Sequence, residues 1–211
     1  MTLQYLLELS SRDHSHLCPR QILGVRMGLC GIKTLQLEPN HGGKRLLIIT
    51  ETDGCFVDGI VAATNCTVGH HTLRVEDYGK VAVTFIDTQT DRAVRIAPVL
   101  DIRRRAYHHA PDELRHYFAQ MQAYQFMPDE EMFTVQDVTL TVPLAQILSR
   151  PGMRVNCDVC GEEIMNEREV RQNGMTLCHV CAYGGYYFVE QDASLSCTIA
   201  HSDYQTAQIS N

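Results

Sequence analysis

The chain has 211 residues, 45% of them hydrophobic and 20% charged, with a formal net charge of −7. These proportions are those of an ordinary globular protein, built as one medium domain with an appendage or as two small domains. The acidic balance argues against nucleic-acid binding through a basic surface, because neutralising phosphates takes clustered Lys and Arg.

Residues 2–11 place Leu3, Tyr5, Leu6 and Leu7 at helical spacing, which predicts a short amphipathic helix. Met1 to Leu9 is too short for a secretory signal and lacks its basic region and cleavage site. No apolar run approaches the roughly 18 residues that a membrane helix needs. Nine cysteines without such a signal predict a cytoplasmic protein whose thiols bind metal or react, in place of a disulfide framework.

Next comes Arg12-Asp13-His14-Ser15-His16-Leu17-Cys18-Pro19-Arg20. Pro19 suits the first turn of a helix and pushes Cys18 toward extended geometry. An extended segment would turn His14, His16 and Cys18 to one side. A thiol beside two imidazoles and a helix N-terminus is expected to have a lowered pKa, which improves it as ligand or nucleophile. Ile22, Leu23, Val25, Met27, Leu29, Ile32, Leu35 and Leu37 predict a long buried helix, with Cys30 in the core. Gly24, Gly28 and Gly31 weaken its propensity but permit another helix to come close.

Pro39-Asn40-His41-Gly42-Gly43 is a turn. Residues 44–50 read as a buried strand ending at Glu51-Thr52-Asp53-Gly54-Cys55, and residues 56–63 as a helix. A second junction thus delivers a cysteine to a helix N-terminus, with Asp53 and Asp58 beside it. Residues 64–71 form a polar turn holding Cys66 and His70. Strands are expected at 72–75, 81–86 and 93–99, with turns at 77–80 and 87–91. Arg103-Arg104-Arg105 is the one basic run and reads as a solvated face or a helix start. Pro111-Asp112-Glu113 predicts a helix to about Gln125 with acidic residues in its first turn. Its face of Leu114, Phe118, Met121 and Met127 is expected in the core. Residues 131–142 alternate as a strand, residues 144–148 connect, and Pro151-Gly152 marks a domain boundary.

Cys157-Asp-Val-Cys160 and Cys178-His-Val-Cys181, seventeen residues apart, have the spacing of a four-cysteine structural zinc site. Each pair puts two thiolates on one tight turn, and two turns complete a tetrahedron. Residues 169–173 and 175–177 predict a hairpin turning at Asn173-Gly174. Arg168 and Arg171 face Glu162, Glu163, Glu167 and Glu169, a poor balance for phosphate contacts. Tyr183, Tyr186, Tyr187 and Phe188 suggest packing against the main domain or a second subunit. The remaining tail is polar, and Cys197 and His201 in it are assigned no role.

His14-Ser-His16-Leu-Cys18-Pro19, Leu23-Gly24-Val25-Arg26-Met27-Gly28, Glu51-Thr52-Asp53-Gly54-Cys55-Phe-Val-Asp58-Gly-Ile and Asn65-Cys66-Thr67-Val68-Gly69, together with the C-terminal ribbon, resemble the FmdE-like family. That family is named for a component associated with formylmethanofuran dehydrogenase. The resemblance covers most of the chain. It implies an α+β core, a zinc-ribbon appendage, a homodimer, and a cavity near the His/Cys segment that can hold a metal. Ser15 and Arg20 replace glycines usual in the family, and Asp13 stands where an aromatic is common. These changes keep the candidate ligands and make the entrance more polar.

The expected fold is therefore α+β: a core domain of antiparallel or mixed sheet with packed helices over residues 1–150, a zinc ribbon over 151–190, and a tail over 191–211. The expected function is metal binding. Cys157, Cys160, Cys178 and Cys181 would hold a structural zinc. His14 or His16 with Cys18 and Cys55 would hold a second metal, which this donor set allows to be zinc, iron, nickel or copper. Cys66 is a further ligand or a nearby reactive thiol. Asp53 and Asp58 would orient ligands, and Arg26 would anchor an anionic ligand or pair with one of them. Cys18, Cys55 and Asp53 are the candidate catalytic groups for a small-molecule ligand. The alternative is a non-catalytic accessory or regulatory protein that senses or delivers a metal or cofactor and binds a protein partner through the ribbon. Thiol redox chemistry between Cys18 and Cys55 is a third reading.

Overall fold

The run Leu46–Thr50 forms strand β1, and its alternation sets the layering of the whole core. Leu46 and Ile48 point to one face, into the main core, while Leu47 points to the other, where Ile49 packs against it. A strand buried on both faces reads as continuous hydrocarbon, as this one does. The computed structural model describes residues 1–12, 14, 16–39, 42–148 and 152–187. Asp13, Ser15, Asn40, His41, Pro151, Phe188 and the tail with Cys197 and His201 lie outside the described residues. The chain divides into two compact units, residues 1–148 and residues 149–211.

In the first unit, helices α1 (Leu3–Ser11) and α2 (Pro19–Leu35) precede β1, and α3 (Cys55–Thr64) follows it. Strands β2 (Leu73–Val75), β3 (Val83–Asp87), β4 (Ala93–Pro98) and β5 (Phe133–Val138) complete a five-stranded sheet of order β2-β1-β3-β4-β5. Only the β1–β2 pair is parallel, because α3 carries the chain back between them; the other pairs are antiparallel. Short helices α4 (Ile102–His109), α5 (His116–Ala123) and α6 (Asp129–Met132) fill the β4–β5 connection, and α7 (Leu144–Ile147) follows β5. Phe85, Val94 and Ile96 meet the helices on one face, and Ile86 and Ala93 join Leu47 on the other. The fold is α+β, with a mixed sheet.

Helices α2 and α3 pack backbone to backbone. A Cβ on Gly24 would collide with the Phe56 carbonyl oxygen and one on Gly59 with the Gln21 carbonyl oxygen; one on Gly28 would come within 2.6 Å of Ala63 Cβ. The order of these contacts, 21 and 24 against 56 and 59, then 28 against 63, makes the two helices run the same way. Their N-termini therefore lie at one end of the unit.

Several elements depart from the sequence reading. The helix predicted from Pro111 begins only at His116, because the Glu113 carboxylate accepts the Arg115 N–H at 2.9 Å and holds a turn there. Its acidic residues thus precede the first turn. Leu114 and Phe118 face solvent, while Met127 is core. By contrast, the basic run lies in the first turn of α4, one of the two readings the sequence offers for it.

The second unit contains hairpins β6 (Arg154–Asn156)–β7 (Glu163–Met165) and β8 (Val170–Gln172)–β9 (Met175–Leu177), then α8 (His179–Tyr183). The second hairpin turns at Asn173 and Gly174, both at positive φ. Among the described residues of this unit, Cys157, Ile164 and Leu177 are the buried members of its hydrophobic core.

Candidate metal centres

The four ribbon cysteines converge, with all their Sγ atoms within 4.8 Å of one another. Zn–S bonds of about 2.3 Å in a tetrahedron put sulfurs about 3.8 Å apart, and Cys160 Sγ lies 3.9 Å from Cys178 Sγ. Backbone amides already point at the sulfurs: Cys178 N–H donates to Cys157 Sγ at 3.3 Å and Cys181 N–H to Cys178 Sγ at 3.4 Å. Amides from Cys160 and Cys178 pull the Cys157 thiol down to about 6. The Cys178 side chain, followed by burial, pushes Cys181 up to about 12. Crowded thiols cannot all ionise unless a cation offsets their repulsion, so the donor set fits a divalent metal.

The first unit gathers a second group. A ring nitrogen of His14, Cys55 Sγ and an Asp58 carboxylate oxygen all lie within 4.8 Å of one another. His14 Nε2 is 2.8 Å from Asp58 Oδ2. Cys18 lies near enough to the group to be among the neighbours that raise the Cys55 thiol. Three separated segments supply these atoms. His14 lies in a turn after α1, where its N–H donates to Ser11 O at 2.9 Å. Cys18 is the N-cap of α2, and the Gln21 amide oxygen accepts the Cys18 N–H at 2.7 Å. Cys55 opens α3 behind Gly54, whose φ of 75° and ψ of −160° are open essentially to glycine alone. Asp58 is one helical turn further on.

Two parallel helices aim their positive ends at this spot, which favours thiolates. Burial opposes that. It raises the Cys55 thiol above its usual value, and the neighbouring Cys18 adds to the rise. For Cys55 desolvation and sulfur–sulfur repulsion win.

The structure brings together only part of the predicted set. The segment does not alternate as a strand, because the chain is still turning at His14; His16 is exposed and stands outside the group. Cys66 sits just past the opposite end of α3, fully buried, with its Sγ–H donating to Leu46 O at 3.6 Å. Ten residues of helix separate Cys55 from that end, about 15 Å at 1.5 Å per residue. Asp53 is exposed and outside the group. Arg26 is not available to a ligand: it donates to Tyr124 O at 2.8 Å, Met127 O at 2.6 Å and Asp129 Oδ1 at 2.7 Å. It ties α2 to the segment that follows α5. Asp58, expected behind the ligands, presents its own oxygen among them.

Nothing in the sequence singles out Tyr117. Its hydroxyl donates to Leu17 O at 3.1 Å, and its pKa is raised by burial and then by Cys18 and Cys55. A residue one hundred positions from Leu17 leaves no local signal of that contact. Two cavities share residues with the group or with the neighbouring Cys18. One of about 420 Å³ is lined by Tyr5, Arg12, His14 and Asp58; the other, about 1020 Å³, is lined by Cys18 and Tyr117 among others.

Residues 14–134 match the model of a family described as FmdE, molybdenum formylmethanofuran dehydrogenase operon. The chain is 29% identical over 207 residues to a probable S-adenosyl-L-methionine-binding protein of Archaeoglobus fulgidus, an alignment covering 87% of this chain and 54% of that protein. It thus spans about half the length of that relative. A solved structure, that of a tungsten formylmethanofuran dehydrogenase FmdE-like protein from Syntrophus aciditrophicus, matches with a TM-score of 0.58 at 20% identity, over 89% of this chain and 96% of that one. That likeness speaks to the fold.

Proposed function

The chain belongs to the FmdE family, and from that premise we propose that it is a two-metal protein: a structural zinc in the ribbon and a second transition metal at the His14–Cys55–Asp58 group, with Cys18 as fourth donor. The observation that carries this is the convergence of imidazole, thiol and carboxylate from three segments at one end of two parallel helices. Isolated nucleophiles do not need such a set. Imidazole, thiolate and carboxylate together suit zinc, iron, nickel or copper. A metal held there supplies a Lewis-acid centre to a small molecule in an adjoining cavity. The protein's own part is to hold the donors in place: Gly54 lets α3 begin at Cys55, and Tyr117 braces the segment ahead of Cys18.

Elemental analysis of the purified chain is expected to give two metals per chain. Cys55→Ser should remove one and leave the ribbon's zinc, and Cys160→Ser should do the reverse. One metal per chain that Cys55→Ser leaves in place would reduce the group to a His14–Asp58 ion pair. A non-catalytic accessory role has its own support in the ribbon, which exposes Val159, Val180, Tyr183 and Tyr186. Such a face suits a protein partner. S-adenosyl-L-methionine, which the Archaeoglobus relative is named for, is a ligand to titrate against the metal-loaded chain.

A further inference from the structure

The larger cavity has a charge pattern that the metal group does not explain. It runs from Cys18 between the start of α2, the β4–α4 connection and α5. No aspartate or glutamate lines it; its charged residues are Arg20, Arg103 and Arg104. In a chain of net charge −7, a groove whose charged side chains are all arginines runs against the overall balance. Arg104 is held by Asp101 at 3.0 Å. Among the described residues, Arg20 and Arg103 have no carboxylate partner. The rest of the lining is mostly hydrocarbon and phenol, including Leu23, Ile102 and Tyr117, with His116 and Gln120 as further polar groups. At about 1020 Å³ it is at the upper end of the range for small-molecule sites, which pair an apolar body with a few fixed polar groups.

We propose that this groove binds an organic oxyanion, a carboxylate or phosphate carried on an apolar or ring-bearing body. The anionic group lies between Arg20 and Arg103, where guanidinium forks match its oxygens. The body lies along Leu23 and Ile102, and one end reaches Cys18. That this ligand is a reactant rests on the metal-centre reading; that it binds does not.

The probe is 8-anilinonaphthalene-1-sulfonate, an anion on an aromatic body, with neutral N-phenyl-1-naphthylamine as its uncharged counterpart. Fluorescence titration of the full chain is expected to show saturable sulfonate binding that weakens as salt rises. The Arg20→Gln/Arg103→Gln variant should bind the sulfonate about ten-fold more weakly and the neutral probe as before. Arg20→Lys/Arg103→Lys should keep most sulfonate affinity. Unchanged sulfonate binding in the Gln variant overturns the proposal, as does an equal loss of both probes while the Lys variant binds normally. Cys55→Ser separates the two readings. Arginine-dependent binding with an unaltered metal content sinks the metal centre alone. A lost metal with arginine-independent binding sinks the anion site alone.

Discussion

Asp87 shows how one side chain ties the sheet at its rim. It closes β3 opposite Leu46, and its carboxylate accepts from Arg45 Nε at 3.0 Å and from the Arg45 guanidinium again at 2.9 Å. The Gln89 N–H adds a third bond at 3.0 Å. The paired guanidinium draws the Asp87 carboxyl from the usual 3.8 down to about 2. A depressed folded-state pKa contributes stability above the unfolded value and loses it as pH falls through the folded one. Arg45 is half exposed, so solvent screens part of the gain. Asp87→Asn is expected to cost about 1–2 kcal/mol near neutral pH. Urea unfolding at stepped pH should show the gap closing between the usual 3.8 and about 2. A gap that persists unchanged into acid would mean the pair contributes nothing as a charge. This rim contact was invisible in the sequence, where residues 87–91 read only as a turn. Ion pairs between Arg45 and a residue forty-two positions away depend on strand register, and register emerges only once the sheet is formed.

The α2–α3 pair is the element on which the core group depends. Gly24 and Gly59 let the two backbones touch, and that contact fixes how far apart Cys18 and Cys55 stand. Gly59→Ala would drive a methyl into the Gln21 carbonyl. Overpacking of this kind costs about 1–3 kcal/mol. The expected result is a lower melting temperature together with loss of the core metal, with the ribbon zinc retained. Gly69→Ala is the control, because a Cβ there meets nothing within 4 Å. Equal metal content in the two variants would show that helix spacing does not set the site. The glycines of α2 were legible as permission for close approach, and both cysteine junctions were legible as helix starts. Which helix α2 approaches, and in which direction, was not, since the parallel arrangement follows from both helices packing on one face of the sheet with β1 between them in the chain. Elements α4, α6 and α8, and the β6–β7 hairpin, are three to eight residues long. Runs that short carry too few positions to show a period.

At the scale of the whole chain the two units are stabilised by different means. Residues 1–148 bury hydrocarbon on both faces of a sheet, which is enough surface to hold a fold without help. Among its described residues the ribbon buries a small hydrophobic core of Cys157, Ile164 and Leu177. Four clustered thiols repel as they ionise, so its hairpins need a cation to stay together; structural zinc supplies about 10–16 kcal/mol in comparable modules. This is also why the ribbon was the most legible part of the sequence: metal-ligand spacing is local, whereas the core group is assembled by topology. Chelation should therefore act unevenly. Hydrogen exchange on the full chain, before and after treatment with a strong zinc chelator, is expected to show the amides of β6 to β9 losing protection by several orders of magnitude. Those of β1 and β3 should stay protected, because the hydrophobic layers that shield them contain no metal ligand. The N-terminal turns of α2 and α3 should fall between, loosening if chelator also strips the core group. Protection lost together in β3 and in the ribbon would mean that the units fold as one, and that the chelated metal supports the sheet as well as the ribbon.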